Sequence, residues 1–238
     1  MKTLNKYSSA LLGAAASIGM VQAASISVNF IGGDGGNGTI DSAASTGRSG
    51  FEATNWNNVG SELGTQNDLT DSAGLTTTAD VTWNSTNVWG DGTANTDAAG
   101  GDPAAQLIRG YLDDGDTGGG TGVTFDVTNI TYAQYSVVLY FSTDTEGGSY
   151  RTATVNGNTY DTTGTKSVWS NNPTFDDTNT MVITNLSGDL DVDLLTRNGG
   201  DRASISGFQI IDTTAIPEPS STALLGLGAV AFILRRRK

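Results

Sequence analysis

The chain has 238 residues, with 25 acidic against 12 basic side chains and neither cysteine nor histidine. The missing histidine excludes Ser-His-Asp and Cys-His nucleophile systems and His-ligated zinc or haem. The missing cysteine leaves core packing and hydrogen bonds to hold the fold. An acidic surface repels phosphates and anionic headgroups, so nucleic acid and anionic lipid surfaces are excluded as ligands.

Residues 1–23 read as a secretory leader. Lys2 and Lys6 make a positive start, residues 11–21 an apolar stretch, and Val21-Gln22-Ala23 a cleavage site near Ala23. Six of the 12 cations lie in the two ends of the chain and only one of the 25 acids does, so the part between carries 24 acids against 6 cations, near −18. Residues 24–214 are expected to form one β-sandwich body, and 215–238 a separate tail.

Within the body, apolar residues recur with period two. Ile26, Val28 and Phe30 alternate with Ser27 and Asn29, and the same period runs through residues 75–83 and 123–127. Residues 32–64 lack clear alternation and read mostly as a long loop over an edge or an end of the sandwich. Residues 135–141, YSVVLYF, are apolar on both faces, as in a central strand covered by a second sheet. Asn156-Gly157 between two alternating runs predicts a hairpin with a type I′ turn. Leu190, Val192 and Leu194 alternate with Asp189, Asp191 and Asp193, giving one face to the core and one to water. Residues 205–211 make a last strand, and no internal stretch shows a helical period. Abundant glycine, scarce proline and short strands predict an all-β, two-layer antiparallel sandwich of jelly-roll type, with a signal helix before it and one apolar helix after it.

Asp113, Asp114 and Asp116, followed by a run of glycines, are the best candidate metal ligands, for calcium, although they miss the established loop spacing and read first as a solvated turn. No other cofactor is expected. With so many acids, carboxylate pairs arise by chance and no spacing singles out a catalytic pair, so the chain is read as non-enzymatic, with no catalytic residues. Trp56 within NWNN, Trp89 after Asn84 to Asn87, and Trp169 before Asn171-Asn172 are candidate glycan-stacking residues, because a flat apolar ring beside amides suits a sugar face. Trp83 shares a face with Val81 and reads as core.

The chain ends IPEPSSTALLGLGAVAFILRRRK. Its apolar run covers residues 223–234, and a helix from residue 220 would rise only ~22 Å against a ~30 Å hydrocarbon core. Pro217-Glu218-Pro219, a short apolar helix and the terminal Arg235, Arg236, Arg237 and Lys238 together resemble the sorting signal of bacterial PEP-CTERM proteins. The resemblance implies recognition of the triplet by a membrane-embedded exosortase, a peptidase that removes the helix. It also implies a transient anchor with a cytoplasmic C-terminus held by the basic cluster, then release to the cell surface or extracellular space. Such proteins are associated with extracellular polysaccharide, so a polysaccharide partner is a further expectation. The body is similar to passenger domains of that family in its early NF strand, Trp-Asn motif and late Ile-Ile strand. VNFIGG, NWNN, YSVVLYF, TVNGNTY and ISGFQII also resemble malectin and galactose-binding-like sandwiches. These readings converge on an exported structural or matrix protein, with a carbohydrate-binding module as the alternative.

Overall fold

Short alternating runs bounded by Gly, Asn and Asp form strands throughout the computed structural model, which describes residues 23–33, 38–90, 102–114, 122–143, 151–162, 167–168, 173–194 and 203–214. The first half contributes β1 (Ser25–Phe30), β2 (Asn57–Val59), β3 (Leu63–Gln66), β4 (Asp80–Asn84), β5 (Asn87–Gly90), helix α1 (Pro103–Arg109) and β6 (Gly110–Asp113). Next come β7 (Val123–Thr128), β8 (Tyr135–Tyr140), β9 (Ser142–Thr143), β10 (Arg151–Val155) and β11 (Asn158–Thr162). β12 (Ser167–Val168), β13 (Thr180–Leu186), β14 (Leu190–Leu194), β15 (Ser204–Ile205) and β16 (Gly207–Asp212) complete the series. All lie in one compact unit, Ala23–Ile216.

Two large sheets result. Sheet 1 has the order β13-β8-β16-β1-β2, and sheet 2 the order β11-β10-β14-β7-β4-β3. Pairing is antiparallel in both except for β1 with β2, which is parallel, a departure from the purely antiparallel expectation. Smaller ladders, β15-β6-β5 and the parallel pair β12-β9, complete the described strands.

The inward side chains of the two sheets form a single core. Phe30 and Phe208 from sheet 1 meet Phe125 from sheet 2, with Phe125 and Phe208 stacked at 4.4 Å and Phe30 6.1 Å from each. All three rings are fully buried, each stabilising the sandwich by about 1.5–3 kcal/mol through burial alone. The predicted sandwich is therefore present, and the alternation in β14 behaves as read, with Leu190, Val192 and Leu194 inside and Asp191 exposed.

Sheet 1 is buried on its second face as well, which explains why β8 is apolar on both sides. Val138, Tyr140 and Ile211 point away from sheet 2 into a second cluster with Ile40, Trp56, Leu107, Ile108 and Phe175. The covering material is α1, the chain between β1 and β2, and Phe175 from the stretch before β13. This corrects the expectation of a loop over an edge or an end: much of it lies across the outer face of sheet 1, and β2 and the start of β3 fall within the stretch read as loop. The helix was also not foreseen. Asp102 caps it by accepting from the Ala104 N–H at 3.0 Å, Pro103 opens it and Arg109 closes it. At seven residues it is too short to show a period.

Other boundaries shift for local reasons. In the run 75–83 only β4 is strand, and Leu75 stands in the preceding turn at 64% exposure. The final run splits at Ser206, whose N–H donates to the Tyr140 carbonyl at 2.9 Å while its own carbonyl accepts from Phe30 N–H at 2.8 Å, so β15 pairs with β6 and β16 enters sheet 1. The hairpin is as expected: Asn156 and Gly157 have φ of 47° and 77° between β10 and β11. The signal and tail helices lie outside the described residues, and among the described residues no helix is long and apolar enough to cross a membrane.

Candidate functional site: the aromatic and amide positions, the buried carboxylates and the root of the tail

NWNN is a fastening. Asn55 takes φ of 56°, turning the chain so that Trp56 points into the outer cluster, edge-on to Tyr140 at 5.8 Å and 72°. Its indole N–H donates to the Ala53 carbonyl at 3.0 Å and the side chain is 4% exposed. The flanking amides bond backbone rather than ligand. Asn57 donates to the Ser27 and Thr70 carbonyls at 2.9 and 2.8 Å and accepts from Thr70 N–H at 2.9 Å. Asn58 accepts from Ile40 N–H and donates to the Ile40 carbonyl, both at 2.9 Å, and also accepts from the Asn29 amide at 2.9 Å. As a stacking candidate Trp56 is therefore corrected: its ring is packed and its neighbours' hydrogen bonds are engaged by the fold.

A second buried polar group fixes the same cover. Gln209 on β16 donates to Ser27 Oγ and to the Phe51 carbonyl, each at 3.0 Å, and accepts from the Tyr140 hydroxyl. Tyr140 in turn accepts from Arg48 N–H at 2.9 Å, and burial pushes its pKa upward, keeping the hydroxyl a donor. Arg48 reaches Thr180 at 2.7 Å and Asp177 at 2.6 Å.

The other tryptophans divide. Trp83 is core, as read, at 6% exposure, with its indole N–H donating to the Ser61 carbonyl at 3.1 Å. Trp89 on β5 is 40% exposed. Trp169 lies outside the described residues, and of the two described stacking candidates Trp56 is buried and Trp89 exposed.

Asp113 and Asp114, two of the three carboxylates read as a solvated turn, are buried. Asp113 ends β6, paired with Asn87 and Ser204, at 0% exposure, and Asp114 follows at 1%. Asp114 continues the ladder, its N–H donating to the Ala203 carbonyl at 3.1 Å and its Oδ1 accepting from Ala203 N–H at 3.0 Å. The turn reading missed this because β6 follows directly on α1, and YLDD carries no alternation to mark a strand. Asp116 lies outside the described residues. Among the described residues no group of three or more Asp or Glu side chains is placed to hold a metal ion.

The outer face of sheet 2 is the exposed acidic surface. Asp126 on β7 stands directly opposite Asp191 on β14, with Asp193 two residues along. Burial, and then the charge of Asp191, push the carboxyls of both Asp126 and Asp193 above the ordinary carboxylate range. Threonines fill the same face, Thr65 and Thr82 lying 3.1 Å apart.

The body ends where the tail begins. β16 closes at Asp212, Thr213 N–H donates to the Gln134 carbonyl at 3.1 Å, and Thr214 folds back on Asp212 Oδ1 through its N–H at 2.8 Å and hydroxyl at 2.6 Å. Pro217, Glu218, Pro219 and the basic cluster lie outside the described residues.

An all-β sandwich with a terminal signal is the class that these features define. Residues 215–238 match the PEP-CTERM protein-sorting motif, confirming the resemblance read from the triplet, apolar run and basic end. The chain thus carries the signal for export, membrane anchoring through its C-terminus and exosortase-dependent sorting to the cell surface. No curated protein and no solved structure matches the chain, and the likeness of the body to malectin and galactose-binding-like domains stays at the level of its strand phrases.

Proposed function

We propose that this protein is a non-enzymatic structural component of the cell surface or extracellular matrix, a β-sandwich delivered through its tail and released when a peptidase removes the apolar helix. The observation that carries the reading is the sorting motif at 215–238 on an acidic sandwich. Supporting it, the aromatic and amide side chains that gave the sequence a sugar-binding look around Trp56 are engaged in holding the fold. In this reading the C-terminus is cytoplasmic until cleavage, because Arg235, Arg236, Arg237 and Lys238 resist translocation. Replacing Glu218 by Ala in the full chain should hold the protein in the membrane fraction; unchanged delivery to the surface would refute the route.

The alternative, a carbohydrate-binding module, keeps one specific support in the 40% exposure of Trp89. A glycan array probed with the released body and its Trp89→Ala variant decides between the two. Binding lost on substitution would establish the module, and a blank array with both supports the structural role.

A further inference from the structure

β16 is the last described strand of the chain and sits inside sheet 1, between β8 and β1. Its ladder with β1 runs from Ser25↔Ile211 to Asn29↔Gly207, and that with β8 from Gly207↔Tyr140 to Asp212↔Tyr135. Phe208 and Ile210 are fully buried in the core between the sheets. A chain exported N-terminus first therefore holds β1-β2 and β13-β8 as separate ribbons with open edges until residue 212 has arrived. The sheet closes only when the tail is the next segment to emerge.

The closed sheet leaves very little slack. Ala215 and Ile216 alone separate Thr214, bonded back onto Asp212, from Pro217. Three residue steps span at most about 11 Å. The N-terminal processing site lies at the same end of the same ladder, since Asp212 N–H donates to the Ala24 carbonyl at 2.9 Å and Ser25 N–H to Ser72 Oγ at 3.2 Å. Ala24 directly follows the predicted leader cut.

We propose that the tail is processed on a completed sandwich, and that the end of the body carrying Ala24, Gln134 and Thr213 is the surface that the processing peptidase meets. The proposal rests on the reading that the triplet is the recognition site. A peptidase that grips extended chain around the triplet has only this short tether on the body side, so tether length governs access. Seating β16 fixes that length, because it prevents the body from yielding further residues.

The test uses the full chain in its exporting host, following conversion of the tail-bearing to the tail-free form by pulse-chase, with protease resistance of the body as the measure of folding. Deleting residues 214–216 should slow conversion at least tenfold, while replacing the same three residues by Gly-Ser-Gly should leave it within twofold of the native rate. Adding Phe208→Asp, which prevents β16 from seating, should relieve the block in the deletion chain. Native-rate conversion of the deletion, an equally slow Gly-Ser-Gly chain, or no relief by Phe208→Asp would overturn the proposal. A Glu218→Ala chain with the native tether separates the two claims: if it converts normally, the recognition reading itself has failed, and if it is blocked while the tether changes have no effect, only this inference has.

Discussion

Trp56 illustrates how one residue decides between two meanings of the same composition. A tryptophan among asparagines suits a sugar face, but an amide bonds a backbone carbonyl as readily as a hydroxyl, and sequence does not reveal which is within reach. Here Asn57 and Asn58 are held by Ser27, Thr70 and Ile40. Trp56→Phe should cost about 1 kcal/mol, the lost bond to Ala53, and Trp56→Ala about 3–5 kcal/mol, both measured by denaturant unfolding. Asn57→Ala, which strands the N–H and carbonyl of Thr70, should cost about 2–3 kcal/mol. Gly64 is a quieter case: a Cβ there would sit 2.5 Å from Trp83 Cζ2. Gly64→Ala should cost about 1–3 kcal/mol and shift Trp83 fluorescence as the indole gives way; an unchanged emission and midpoint would show that the ring has room.

Single strands were legible where their two faces meet different surroundings. The alternation of β14 and the Asn156-Gly157 turn identified themselves, because period two and positive φ leave marks in sequence. β8 was equally plain, since being covered on both faces leaves it no polar side. What escaped were short elements without a local pattern: β2, joined to β1 in parallel, β6 with its buried Asp113, and α1. Their partners lie far along the chain, so burial there follows from packing rather than from local pattern. Sheet 2 provides the test at this scale. Like charges directly opposite destabilise a sheet by a few tenths to 1 kcal/mol, and Asp126 faces Asp191. The raised carboxyls of Asp126 and Asp193 favour the folded state below the ordinary carboxylate pKa, and that preference is lost as pH rises through their folded values. Asp191→Thr should therefore stabilise the body at neutral pH, with the gain shrinking as pH falls toward about 4; a gain that does not vary with pH would assign it to β propensity alone.

At the scale of the whole molecule, the sequence shows where the protein goes more plainly than what it does there. The tail's triplet, apolar run and cations form a linear pattern in the sequence, so it was readable directly and the family motif confirms it. The body's role depends on which side chains reach the surface, and packing has withdrawn Trp56, Trp83, Asp113 and Asp114 from it. The central claim, a sandwich sorted through its tail and then released, is tested most directly by the intact mass of the protein recovered from the cell surface or medium. The account predicts a species that begins near Ala24 and lacks Arg235, Arg236, Arg237 and Lys238. Recovery of the surface form with that basic end still attached would contradict it.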